Sequence, residues 1–524
     1  MLDQINNILG KIDNFVWGVP LIVLILLVGI FLTIRLKGLQ IRKLPLAVKY
    51  LFENEKSGES GEVSSFAALC TALSATIGTG NIVGVATALV EGGPGALFWM
   101  WIAALVGTAT KYSECLLAIK YRVVAEDGHI IGGPFYYIEK GMGPKWKWLG
   151  KLFAFFGVGV GLFGIGTFTQ INGITSAVKG FFDPDTIWTV DLFGRTYSWT
   201  VIIAGIILTI CVALVIIGGI KRISTVSQVI VPFMALTYVV VVLIIIVMHI
   251  TEVPAAFATI IKSAFGFKAV AGGAMGSIIV AMQKGIARGI FSNEAGLGSA
   301  PIAAAAVQTD YPVKQGLVQG LSVYIDTLLV CTCTGISILL AGTYNVAADG
   351  AGASLLVEHV PGIQYGIAFM QEAMSVSIGK AGAMFLAIML FIFIFTTMLS
   401  YSYQLESTCK YLFGENKMVV TIVRILFLVF CMFGILIDGD TIWPMGDIGV
   451  GCMLWVNTFS ILLLTPKVLK IVKDYEKQKN VGLNPLFDPA TVGIEDKAGV
   501  WDTYVKQKKE RGDYENPQLG YDKK

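Results

Sequence analysis

Apolar stretches long enough to cross a bilayer recur along this chain, separated by short segments that are polar, basic or rich in Gly and Pro. A helix needs about 20 predominantly apolar residues to span the hydrocarbon core. On that measure the sequence predicts spans at 15–34, 63–90, 96–120, 152–180, 199–219, 226–249, 314–341, 381–412, 418–437 and 445–466. One more lies within 254–309, a region that does not read as one simple span. The expected fold is an all-α polytopic membrane protein with 11 transmembrane helices. From Pro466 the chain turns polar and Lys-rich, and reads as a tail without a core of its own.

One span carries a flaw at its middle. Ser74 to Asn81 reads Ser-Ala-Thr-Ile-Gly-Thr-Gly-Asn, inside the second apolar run. Gly is about 1 kcal/mol worse than Ala in a helix interior. A backbone group freed at mid-membrane must be satisfied inside protein or beside a cavity. Such a break offers loose N–H and C=O groups to an ion or a small polar solute, as the discontinuous helices of secondary transporters do. The alternative is a Gly-x-Gly groove for helix packing.

Charge sets the topology. Only 14% of residues are charged and 55% are hydrophobic, against roughly 25% charged in an average soluble domain. The net charge of +3 suggests no nucleic-acid partner. The first run has no small-residue cleavage motif and is followed by Arg35, Lys37, Arg42 and Lys43, which predicts a retained helix with its amino terminus outside. Of the 39 Lys and Arg, only Lys11, Lys179, Arg195, Lys262, Lys268 and Lys380 then fall in outer segments, with Lys284 and Arg288 ambiguous. That bias places the carboxyl terminus in the cytoplasm. Setting the first helix aside leaves ten spans that divide five plus five in opposite orientation, the arithmetic of an inverted repeat. The predicted units are 1–62 (extra helix and basic loop), 63–250 and 251–466 (the two five-helix repeats) and 467–524 (cytoplasmic tail). Ile77 to Asn81 before a Gly-Pro turn finds an echo in Ala295 to Ser299 before Tyr311-Pro312.

Little else carries chemistry. The eight cysteines read as small apolar fillers, and the three histidines lie outside the middles of the spans, so neither a metal cluster nor an enzyme is indicated. Asp326 is the one acid well inside the eighth span; it can line a second cation site, take a proton, or bond neighbouring hydroxyls. Lys111, Glu114 and Glu406 sit near predicted cytoplasmic ends and read as interfacial or gate ion pairs.

Gly92-Gly93-Pro94-Gly95-Ala96-Leu97-Phe98-Trp99-Met100-Trp101, running on to Gly107, resembles the signature of the alanine/glycine:cation symporters. Gly78-Thr79-Gly80-Asn81, Gly133 to Ile138 and Gly289 to Gly298 match the same family. The resemblance implies the leucine-transporter fold of the amino-acid–polyamine–cation superfamily, a 5+5 inverted repeat with one extra amino-terminal helix, and sodium-driven uptake of alanine or glycine. It implies that the substrate carboxylate meets the backbone N–H groups of Thr79 and Gly80, beside Asn81. Phe168 and Gln170 of the Gly-rich fourth span are then pocket wall and polar contact. For Na+ it implies the carbonyls of Ser74, Ile77 and Phe393 with the hydroxyls of Thr396 and Thr397; the alternative is that these threonines bond back to their own helix. The second broken helix has two candidate positions, Gly272 to Gly276 and Gly296 to Gly298. The first is preferred because it leaves Lys284 and Arg288 at the cytoplasmic end. Gly273 and Gly276 then join the substrate site, and Glu294 can pair with Arg288. A proton-coupled carrier of the same fold, titrating at Asp326, is the competing expectation. The partners expected are a small amino acid and the lipid bilayer of the cell membrane, with no oligomer implied.

Overall fold

The computed structural model describes residues 2–53, 61–126, 128–192, 195–266, 274–347, 355–363, 366–437, 439–512 and 514. An amphipathic helix α1 (Leu2–Val16) leads through Trp17-Gly18 into α2 (Val19–Arg35), which carries a proline in its first turn. There a missing N–H is no loss, because the first amides of a helix have no intrahelical partner.

The second apolar run is two helices. Ser64 caps α3 (Ser65–Thr76) by accepting the amide of Ala67 at 3.2 Å. Regular bonding stops after Ile77, whose backbone is extended, and resumes through a π turn at Gly80–Gly84 into α4 (Val85–Gly92). The two halves meet at 54°. Gly93, at φ +69°, makes the tight turn into α5 (Gly95–Lys120). Then follow α6 (Lys147–Phe163), α7 (Phe168–Phe182), α8 (Trp199–Ile216), α9 (Gly219–Met248) and the short α10 (Val253–Ala264).

In the region that resisted a simple reading, α11 (Ala274–Asn293) ends in an unwound stretch, 294–299, before one short turn, α12 (Ala300–Ala304). Next come α13 (Pro312–Ala341), with a π-helical centre at Tyr324–Cys331, then α14 (Ala368–Ile378), α15 (Lys380–Phe413), α16 (Lys417–Phe433), α17 (Gly439–Asn480) and α18 (Val500–Glu510). The described residues also hold short helices, among them Leu44–Phe52 and Tyr137–Met142, and three two-stranded antiparallel pairs.

Among the described residues nine helices are long and apolar enough to cross a membrane, and the bent α3–α4 pair makes ten. The protein is a mostly helical polytopic membrane protein. Eleven spans were expected; the difference lies at 254–309, where α10 and α11 are not among those nine. Burial sorts the helices. The apolar stretch of α5 is 83% buried and that of α16 only 28%, so α5 is a central helix. The exposed Ile203, Ile206, Ile207, Ile210 and Leu214 of α8 suit hydrocarbon as solvent.

The predicted boundary at 466/467 falls inside the continuous α17. Beyond it the chain turns back onto the bundle. Trp501 is fully buried and donates its indole N–H to the Ile119 carbonyl at 3.2 Å. Phe487 is buried too, its amide on the Asp310 carbonyl at 3.0 Å. The segment has no core of its own because it uses that of the bundle.

Candidate functional site

A helix end leaves its last carbonyls without amides. Ile77 N makes the last regular bond of α3, to Leu73 O at 2.7 Å. The amide of Gly78, next in line for Ser74 O, donates instead to Asn81 Oδ1 at 2.8 Å. The break thus frees carbonyls at the negative end of α3, and Ser74 and Ile77, two of the expected sodium ligands, belong to it. The Ser74 hydroxyl is turned back onto Thr71 O at 2.7 Å.

Helix α15 closes over this end. Thr397 Oγ1 lies 3.2 Å from Ile77 O and donates to Phe393 O at 2.9 Å. Thr396 Oγ1 shares that carbonyl at 2.9 Å and touches Met234 Sδ at 3.5 Å. One turn further, Ser400 Oγ bonds Thr71 O at 3.0 Å. Ile77, Phe393, Thr396 and Thr397 therefore converge, all fully buried. They form a set of hard oxygens suited to a small cation. The hydroxyls bond back to Phe393, as the alternative reading had it, and one of them also reaches across to α3. Gly78 permits the approach: a Cβ there would stand 2.6 Å from Thr397 Oγ1.

The expected substrate residues are partly assembled. The Thr79 N–H donates to Gln170 Oε1 at 3.3 Å, so this amide side chain holds the place foreseen for a carboxylate oxygen. Gly80 lies against the second broken helix, where a Cβ would come within 3.1 Å of Ser292 Cα. Asn81 Nδ2 donates to Asp326 Oδ1 at 2.6 Å. Phe168 is buried, but its ring contacts are with Phe163 and Phe430, in an aromatic cluster next to Gly434. Those rings lie on α6 and α16, so the contacts of Phe168 mark it as packing there. Gly273 lies outside the described residues, and Gly276 falls in the first turn of α11.

Among the described residues the unwinding in this region is at 294–299, the less preferred of the two positions; Gly272 and Gly273 of the preferred one lie outside the described residues. Glu294, Gly296 and Gly298 have φ of +56°, +84° and +87°, a region that disfavours side chains other than glycine. The stretch is held by charges from α5. Lys111 Nζ donates to the carbonyls of Asn293 and Glu294 at 3.1 and 3.4 Å, a cation at the negative end of α11. Glu114 accepts the Gly296 amide at 3.3 Å and Asn457 Nδ2 at 2.9 Å. Both side chains are fully buried, which corrects their placement at the interface: what they satisfy is unwound backbone in the interior. Glu294 bonds Ser299 and Tyr401. Its expected partner Arg288 instead pairs with Asp447 at 3.0 Å, and Glu91 is 4.0 Å away and bound to Lys284 at 2.8 Å. Buried unwinding needs nearby counter-charges, and α5 supplies them. Glu406 does form an ion pair, with Arg424 at 2.8 Å.

Asp326 links the two breaks. Its oxygens accept from Asn81 of the first break, Ser292 at the end of α11 (2.8 Å) and Thr327 (2.8 Å). Gly78 and Ser292 stand inside motifs read from sequence without a binding role of their own, and Thr327 was not singled out. Ser292 stands inside the Gly289 to Gly298 motif, which was the available signal.

Two sets of contacts flank this centre. On the face carrying the carboxy-terminal segment, Val63 pairs with Val307 and Arg122 Nη1 bonds Val307 O at 2.7 Å. On the opposite face stands the Glu91–Lys284–Arg288–Asp447 network.

A membrane-spanning bundle with two helices broken against each other in its buried centre has the architecture of a membrane carrier. The sodium:alanine symporter family model matches residues 2–489, and the chain belongs to that family of transporters. It is 48% identical over 472 residues to an uncharacterized transporter of Haemophilus influenzae, covering 90% of this chain and 96% of that one. It is 41% identical over 484 residues to the sodium/alanine symporter AgcS of Methanococcus maripaludis (91% and 99% covered). It is 40% identical over 508 residues to the putative sodium/proton-dependent alanine carrier protein YrbD of Bacillus subtilis (96% and 99%).

Proposed function

We propose that the protein couples sodium entry to uptake of alanine or glycine across the cell membrane, alternating access around the two breaks of a 5+5 inverted repeat. The amino terminus would lie outside and the carboxyl terminus in the cytoplasm, as the Lys and Arg bias argues. The observation that carries this reading is the meeting of Thr397 Oγ1 with the freed Ile77 carbonyl at 3.2 Å. A sodium ion there would be coordinated by Ser74, Ile77, Phe393, Thr396 and Thr397, and would tie α3 to α15. Substrate carboxylate would replace Gln170 Oε1 on the Thr79 amide, with the Gly80 amide as second donor. The close approach of Gly80 to Ser292 leaves room only for a small side chain, since overpacking a filled site is penalised. The Arg288–Asp447 pair and the Val63–Val307 contact are the two closures that would open in turn.

The test is labelled alanine uptake into proteoliposomes with an inward sodium gradient, against a potassium control at constant pH and voltage. Accumulation above equilibrium only with sodium is expected; equal uptake in both salts would sink the sodium coupling.

One observation favours a second reading, proton coupling. Asp326 is a fully buried carboxyl bonded to both broken helices, and a relative is named a sodium/proton-dependent alanine carrier. Uptake driven by a pH gradient without sodium, and abolished by Asp326→Asn, would select it.

A further inference from the structure

At the face carrying the carboxy-terminal segment, a cavity of about 170 Å³ opens between three separate stretches of chain. The turn at Tyr137–Met142 supplies Lys140; α17 supplies Lys467 and Lys470, one turn apart on one side of the helix; the returning segment supplies Glu495 and Lys497. Four lysines and one glutamate thus line the cavity. The neighbouring Lys120 does not add to the excess, because Asp496 matches it at 3.3 Å.

The lysines are brought together by apolar docking, not by attraction. Trp501, fully buried beneath the returning segment, fixes that wall. Lys467 is held in place by a bond to Gly141 O at 2.5 Å and by the Tyr121 ring, 5.7 Å from its ammonium. Its charged surroundings are Lys497, Lys120 and Lys470, opposed by Glu495. Like charges assembled at a concave surface raise the local concentration of anions. The site also stands where α17 passes from its apolar run into Lys-rich sequence, the position at which basic clusters take acidic headgroups.

We propose that this cavity binds a phosphate anion, with Lys140, Lys467, Lys470 and Lys497 as its donors, and that the folded carboxy-terminal segment exists in part to complete it. A phosphate's several oxygens suit several ammonium donors at once, and two sources share that chemistry: the headgroup of an acidic phospholipid and free inorganic phosphate. The proposal is independent of what the protein transports.

The experiment uses the full chain and the variant Lys470→Gln/Lys497→Gln, chosen because both lysines are exposed and neither is placed in the transport site. Thermal unfolding is followed in nanodiscs of phosphatidylcholine alone or with phosphatidylglycerol. It is also followed in detergent with inorganic phosphate titrated against chloride at constant ionic strength. Each lysine removed is expected to weaken binding about fivefold, so about 25-fold for the pair. A saturable stabilisation by phosphatidylglycerol alone, weakened in the variant, identifies the lipid; one by inorganic phosphate identifies the soluble anion. No stabilisation in either arm, or one equal in the variant, overturns the site. A second variant, Lys140→Gln, guards against a fold defect in the pair: it should weaken binding alone, and full retention of affinity also counts against the proposal.

Discussion

Thr397 is the residue on which the sodium reading turns. Its hydroxyl bonds its own helix at Phe393 and reaches Ile77 across the break. Thr397→Ala should weaken sodium and alanine binding together by roughly tenfold, corresponding to about 1.4 kcal/mol for one lost ligand. By linkage each ligand must change the other's affinity by the same factor. Isothermal titration at several sodium concentrations checks this, and an unaltered sodium dependence would remove Thr397 from the site. Gly78 is the next case. A Cβ 2.6 Å from Thr397 Oγ1 forces that hydroxyl away, so Gly78→Ala should lose sodium dependence while the protein still folds and reconstitutes. Motif matching brought Thr396 and Thr397 into view; Gly78 was read as part of the break, but not its approach to Thr397, because that partner lies more than three hundred positions away.

At the scale of the element, both broken helices are made the same way. Regular bonding stops, and an Asn side chain then takes the displaced amide: Asn81 for Gly78, Asn293 for Ala295. The first break was legible because two glycines and polar residues interrupt an apolar run. The second was harder, since Gly272 to Gly276 offers the same composition as Gly296 to Gly298. The preference for the former rested on the cost of burying Lys284 and Arg288, and tertiary contacts cancel that cost. Glu91 and Asp447, from distant parts of the chain, neutralise them. The second break is correspondingly dependent on α5. Lys111→Met would leave carbonyls of the unwound stretch and the neighbouring carboxylates without their cation, and should destabilise the protein by about 3 kcal/mol or more. Gly298→Ala meets φ +87° and a Cβ 2.5 Å from Pro134 Cγ, so it should lower the melting temperature measurably. A wild-type melting profile for either variant would show that the stretch refolds around the change.

For the whole molecule, the proposed cycle has the Arg288–Asp447 pair and the Val63–Val307 contact open in turn around the fully buried centre. Asp447→Asn should weaken the Arg288 pairing and favour opening at that face. The expected readout is faster thiol labelling of a cysteine placed at Ala281, buried on α11 beside Gly92, with labelling at the opposite face unchanged. The carboxy-terminal segment belongs to this scale as well. Trp501→Ala should cost about 3 kcal/mol of stability and expose residues 483–510 to limited proteolysis. Cleavage no faster than in the wild type would mean the docking is not held by Trp501.

The sequence alone determined the membrane-embedded character of the chain, most of the spans, the first break and the family. Those depend on local quantities: run length, hydrophobicity, helix-breaking residues and contiguous motifs. Only the tertiary structure decided that Lys111 and Glu114 are interior supports and that Arg288 turns to Asp447. It alone placed Phe168 among aromatic rings, joined the two breaks through Asp326, and folded the polar tail back through Trp501. Each of these is a choice of partner across long sequence separation, where the cost of burying a charge or opening a helix depends on what another segment brings beside it.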